Sequence, residues 1–174
     1  MVVYSEEATE RQVVAIGCRE LALTGVFPRL ETGVVMGKTL AYKLFRVGRI
    51  PAQFRAQLES EGVLFQEEGI SGSTTYRNFH RPGAYSLWRR VWYSASLTIT
   101  RTRVVGLAAS SPIINVPLTD ARLLRLNISL EKHDVLLIAF DASLFHNDWS
   151  GAIEYRFRTA QAQAFWETLA AQIL

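Results

Sequence analysis

From Ser96 onward short apolar-alternating runs follow one another at close intervals, until at Thr159 the pattern turns helical and runs to Leu174. Alternation with a period of two over a few residues marks half-buried strands, whereas a helix repeats its apolar positions every three to four residues. A chain patterned this way folds mainly as β-structure closed off by one amphipathic helix. In that helix Ala162, Phe165, Trp166, Leu169 and Ile173 recur at helical spacing and form one broad apolar stripe, with Thr159 suited to the N-cap. The stripe must be covered, so Phe165, Trp166, Leu169 and Ile173 are expected to pack across the open side of the β-structure.

The strands read as follows. Val63-Leu64-Phe65, Thr74 to Phe79 and Leu87 to Tyr93 come first, with a turn expected at Gly69 to Gly72 and a loop at Arg81-Pro82-Gly83. Leu97 to Ile99, Val104 to Leu107, Ile113 to Val116, Leu123 to Ile128, Val135 to Phe140 and Ile153 to Phe157 continue the series. On a strand, Trp88 and Trp92 share one face with Arg90, while Arg89 shares the other with Val91 and Tyr93. The tryptophans are expected in the core or its cap.

Residues 1–50 differ in character. Thr9 and Gln12 have capping-box spacing, and Val13, Val14, Cys18 and Leu21 form one apolar helical face, ended by Phe27-Pro28. A second helix is expected over Lys38 to Val47, whose basic residues form no clean face. A third begins at Pro51 and stops at Gly62. The organisation expected is an N-terminal helical extension, residues 1–60, packed on a β-rich domain of residues 61–174.

Composition limits the functional classes. The chain has 174 residues, 49% of them apolar, enough for one domain with an appendage and a real core. Its net charge of +3 is too small to argue for nucleic acid. Cys18 is the sole cysteine, so neither an internal disulfide nor a cysteine-based zinc site can form. No apolar run approaches the roughly 20 residues of a membrane span, and the start lacks the marks of a signal peptide. Cytoplasmic residence, with peripheral contact to a membrane open, is the expectation.

The order of elements carries a resemblance. Ser96-Leu-Thr-Ile-Thr-Arg-Thr-Arg-Val-Val-Gly106 looks like a hairpin in which a strand ends at threonine, turns, and resumes at arginine and two apolar residues. Ile114-Asn-Val-Pro-Leu118 follows as a short strand entering an apolar-Pro-Leu step, and Glu154-Tyr-Arg-Phe-Arg158 precedes the final helix. In this order residues 61–174 resemble bacterial pleckstrin-homology-like and GRAM-like domains. The resemblance implies a β-sandwich or partly open barrel of about seven strands capped by a C-terminal helix. Pleckstrin-homology domains that bind phosphoinositides carry bases around the first hairpin loop. Here Gly69-Ile70-Ser71-Gly72 has none, so that recognition does not carry over.

Charge placement is the strongest sign of function. No acidic residue occurs between Glu68 and Asp120, a stretch that holds Arg77, Arg81, Arg89, Arg90, Arg101 and Arg103 interleaved with Tyr76, His80, Trp88, Trp92 and Tyr93. Arginine forks suit phosphate and carboxylate, and the local potential is positive whatever the net charge. Arg77, Arg81, Arg89 and Arg90 are therefore the candidate anion-binding residues. The alternative is internal pairing with Glu59, Glu61, Glu67, Glu68 or Asp120.

Catalytic signals are weak. His80, His133 and His146 have no ligand spacing, and no phosphate loop, dinucleotide fingerprint or nucleophile elbow occurs. Asp141, His146 and Asp148 lie close enough for a carboxylate–imidazole pair, but aspartates after a strand ordinarily serve the turn. The reading is a non-catalytic binding or scaffold module for a protein partner or an anionic surface, with no cofactor and no metal. A small α+β barrel enzyme with Asp141 and His146 in its cavity is the alternative.

Overall fold

Residues 38–173 are described by the structure, a computed structural model. Two short helices, α1 (Leu40–Phe45) and α2 (Ala52–Ser60), precede seven strands. These are β1 (Val63–Arg81), β2 (Ala84–Thr100), β3 (Arg103–Ala108), β4 (Ser111–Pro117), β5 (Asn127–Lys132), β6 (Val135–Asp141) and β7 (Ser150–Arg158), and helix α3 (Ala162–Ile173) follows. All paired neighbours are antiparallel, in the order β4-β3-β2-β1-β7-β6-β5, and the sheet is not closed. The fold is mainly β with a C-terminal helix, as the alternation leads one to expect. The helix expected on the face of Val13 and Cys18 lies outside the described residues.

β1 and β2 form one long hairpin where the sequence suggested shorter strands. Gly69 to Gly72 is not a turn: it lies inside β1, whose register with β2 slips between Glu68 and Ile70. Gly69 has φ 75°, and the Tyr42 ring of α1 occupies the place where a Cβ would project. A bulge bends a strand without ending it, and only glycine meets both demands here. Before the bend β1 pairs with β2 alone; after it, Ser71–Arg77 pairs with β7 as well. The two halves of the sheet thereby face each other. Gly106 of β3 and Phe157 of β7 meet across the interior, where an added Cβ would lie 3.3 Å from the phenyl ring.

The core fills this space. Leu97, Ile99, Val104 and Ile114 from one half meet Leu136, Ile138, Ile153 and Phe157 from the other, and Phe165 and Leu169 of α3 close the open side. Two expectations about α3 need correction. Phe165 and Leu169 are buried, but Trp166 and Ile173 are each 37% exposed, because the helix rests on the sheet by a narrower strip than its apolar stripe. Leu123 to Ile128 is also not one strand. Asp120 accepts a hydrogen bond from the Arg122 N–H and caps a 3-10 turn over Ala121–Arg125, so β5 starts only at Asn127. A local side-chain cap there wins over the apolar run.

Residues 38–62 make a further layer. Ile50 and Leu58, with Phe54, pack on Val105 and Leu107 of β3, on the face turned away from the core. Beneath them β2 presents Ser94, Ser96, Thr98 and Thr100, all buried. Thr39 bonds Ser94 through their hydroxyls at 2.8 Å, and the Ser96 hydroxyl donates to the Gly48 carbonyl. Small hydroxylated residues let the covering backbone come close. Beyond Ser94 the cover ends.

Candidate anion-binding face

The same face of β2 continues past Ser94 as Trp92, Arg90 and Trp88, and here the residues are large. Register with β1 sets Arg90 beside Thr75, Trp92 beside Ser73 and Trp88 beside Arg77. Trp88 and Trp92 are 58% and 61% exposed, so they are not the core residues expected of them. The Arg90 guanidinium lies 5.6 Å from the Trp88 ring centre and 5.8 Å from that of Trp92, within cation–π range of both. Arg90 Nε donates to Thr75 Oγ1 at 2.8 Å. Among the described residues no carboxylate pairs with Arg90.

Across β1, strand β7 adds two arginines to this face. Arg156 pairs with Ser73, and Arg158 with Ser71, in the β1–β7 ladder. A shallow groove of about 300 Å³ runs between them, lined by Ser71, Ser73, Arg90, Trp92, Arg156 and Arg158, with Lys132 and Glu131 at its β5 end. Arg156 is neutralised: its fork holds Glu131 at 2.9 and 3.0 Å and it reaches Glu154 at 2.7 Å. Those bonds, Glu131's first, push the arginine pKa still higher than usual and hold Glu131 below the ordinary carboxylate range. Arg158, 60% exposed, meets Asp134 only at 3.9 Å. Arg90, Arg158 and Lys132 thus leave the groove with positive charge to spare.

The four arginines singled out from the sequence do not form one patch. Arg77 is on the same face as Arg90, but bonds Glu154 at 2.7 Å. Arg89 is on the opposite face, as strand alternation requires, and lines a cleft of about 70 Å³ with Tyr76, Phe79, Arg81 and Tyr85. Arg81 lies over the Trp149 ring at 5.9 Å. Internal pairing accounts for part of the acid-free stretch: Arg103 grips Glu61 with a two-pronged bond at 2.6 and 2.9 Å. Glu68, by contrast, pairs with Arg55, and Glu67 accepts from Thr159. Arg156, Arg158 and Lys132 lie outside the acid-free stretch, so charge placement does not point to them. Tyr155 and Phe157 alternate with the two arginines and are core residues, which signals that the arginines point outward. Only the β1–β7 pairing, invisible in the sequence, brings them to Arg90.

No protein-family model matches the chain, and no curated protein matches it either. The face must therefore be read from its own chemistry. Asp141, offered as half of an acid–base pair, accepts from the Ser143 N–H at 2.9 Å and from its hydroxyl at 2.6 Å, so it caps a 3-10 turn. These bonds hold its carboxyl below the usual range, the state of a turn carboxylate rather than of a base poised near neutrality. His146 is stacked on Trp149 at 4.0 Å. Among the described residues no three of His, Cys, Asp and Glu gather as a metal site, and no helix is long and apolar enough to cross a membrane.

The groove has a pH signature. Burial raises the Glu154 pKa, but hydrogen bonds from Arg156 and Arg77 outweigh it and the net shift is downward. A carboxyl depressed in the folded state contributes stability above its unfolded pKa, and that contribution is lost as pH falls through the lower folded value. Glu131, Asp120 and Asp141 are shifted the same way. Urea midpoints are therefore expected to fall as pH drops below the ordinary carboxylate range, and Glu154→Gln is expected to flatten that fall. A wild-type slope kept intact in Glu154→Gln would assign the acid sensitivity elsewhere.

Proposed function

We propose that this chain is a non-catalytic binding module of the pleckstrin-homology-like kind, which takes an anionic partner on the outer face around Arg90. Seven antiparallel strands followed by a C-terminal helix support the likeness, and the observation that carries the function is Arg90 itself. A guanidinium with no carboxylate partner among the described residues, held between two exposed tryptophans at the rim of a groove, is organised for a ligand rather than for stability. Arg158 and Lys132 extend the positive field along the groove. Residues 38–62 cover the neighbouring half of the same face and leave this half open.

The test is binding of poly-L-glutamate and of phosphatidylserine vesicles, with phosphatidylcholine vesicles as the neutral control. At least one anionic probe is expected to bind and the control not to. Affinity should fall with moderate salt, since exposed charges are screened over roughly 8 Å at physiological ionic strength. Arg90→Glu/Arg158→Glu should abolish it, each exposed cation being worth about 1 kcal/mol against an anionic surface. Failure to bind either anionic probe, or equal binding by the double variant, would sink the reading.

A further inference from the structure

The groove borders a strand edge that is open among the described residues. β3 pairs with β2 only over Ala95–Ile99, so from Ala84 to Tyr93 the side of β2 away from β1 meets no described strand. The Ser94 carbonyl accepts from the Ala109 N–H at 2.8 Å, which fixes the direction of the Ser94 backbone: it points to the β3 side. Backbone polar groups alternate along a strand, so Trp92, Arg90, Trp88 and Ser86 turn their N–H and C=O groups to the open edge. Such an edge offers donors and acceptors together at every second residue, a repeat of roughly 7 Å. A headgroup or a free phosphate is too short to match donors and acceptors repeated along the strand. An extended polypeptide alone answers the whole ladder.

We propose that the anionic partner of the outer face is an extended acidic peptide segment, added as a strand to the open β2 edge between Ala84 and Tyr93. The proposal rests on the anion-binding reading and names its partner. Charge selects the occupant. Arg89 and Arg90 are neighbours on opposite faces of β2, so an added strand meets a cation on both of its faces at the same point. Two adjacent acidic residues satisfy both. On either side the strand runs past Val91 and Trp92 in one direction, and past Trp88 and Leu87 in the other. Trp92, Trp88 and Leu87 are 61%, 58% and 67% exposed, surfaces that apolar residues would cover. The matching pattern is two apolar residues, two acidic residues and two apolar residues. A second copy of this chain is the poorer occupant, because antiparallel pairing of two β2 edges crowds Arg89 and Arg90 of both copies into the middle rows of the ladder, and Ala84–Tyr93 holds no acid to offset them.

The experiment measures fluorescence anisotropy of labelled Thr-Ile-Val-Glu-Glu-Val-Ile-Thr with the full chain, beside its Lys-Lys counterpart. The acidic peptide is expected to bind about tenfold or more tightly than the lysine peptide, and Arg89→Glu/Arg90→Glu to reverse that order. Proline separates strand pairing from charge. Trp88→Pro removes an outward N–H from an edge position, where proline is tolerated, and Trp88→Ala removes the ring alone. Trp88→Pro is expected to abolish binding while Trp88→Ala keeps a measurable part of it. Circular dichroism checks that the proline variant is folded. Should it be unfolded, Ser86→Pro against Ser86→Ala makes the same comparison at another outward N–H of this edge. Binding that follows charge but is equal in Trp88→Pro and Trp88→Ala overturns the added strand and leaves the anion-binding reading standing. Binding of phosphatidylserine vesicles with none of the peptide overturns the peptide in favour of a lipid surface. Self-association lost in Trp88→Pro, without peptide binding, overturns it in favour of a second copy. Binding to none of these probes removes both readings.

Discussion

Replacing Phe165 by alanine is expected to lower the unfolding free energy by about 3–5 kcal/mol, the range for removing a buried phenyl ring. Phe165 is 0% exposed and meets Phe65 edge-on, with ring centres 5.3 Å apart at 89°. It ties α3 to the part of β1 that precedes the bulge. The same helix has contacts with β5 and β6 in the other half, so the ring sits where the two halves are closed together. Neighbouring residues on the helix set the contrast. Trp166 and Ile173 are each 37% exposed, and alanine at either should cost about 1 kcal/mol or less. Urea unfolding at unchanged slope distinguishes these outcomes. An unchanged midpoint for Phe165→Ala would mean that α3 does not close the core.

The difference between these residues shows where period-based reading stops. Helical spacing located the stripe and strand alternation located most of β1 to β7, because both report which side of an element avoids water. Neither says how wide the contact is, so the stripe groups Trp166 and Ile173 with Phe165 although both are 37% exposed. Two glycines three apart looked like a turn at Gly69 to Gly72. A bulge occupies this place, and the Tyr42 ring of another element fills the space a Cβ would take at Gly69, which local propensity cannot see. The candidate site divides in the same way. Alternation alone puts Arg90 with Trp88 and Trp92, and Arg89 on the opposite face. Bringing Arg158 and Lys132 to Arg90 required the β1–β7 ladder. Pairing between strands far apart in sequence leaves no mark on the sequence of either one.

One carboxylate gathers the polar contacts of the cover over the other half of the face. Glu68 accepts from the Tyr42 hydroxyl at 3.0 Å and from the Ile50 N–H at 3.2 Å, and it pairs with Arg55. Three groups from residues 38–62 thus converge on one side chain of β1, immediately before the bulge. Glu68→Ala leaves the N–H of buried Ile50 without its acceptor and Arg55 without its counter-ion. Losing partners of buried polar groups costs more than the bonds themselves contribute, so a loss of about 2–3 kcal/mol is expected. Glu68→Gln keeps an acceptor for Ile50 and Tyr42 and loses only the charge, so its loss should be smaller. The loss should also be local. Hydrogen exchange is expected to quicken across 38–62 while the amides of β6 and β7 stay protected, since Leu136, Ile138 and Phe157 belong to a separate apolar cluster. If exchange quickens everywhere to the same degree, the cover unfolds only with the sheet. If neither stability nor exchange changes, Ile50 and Leu58 on Val105 and Leu107 hold the cover without Glu68. The first outcome alone makes the boundary at Ser94 a built one: a covered half held by Glu68, and an open half left to Trp92, Arg90 and Trp88.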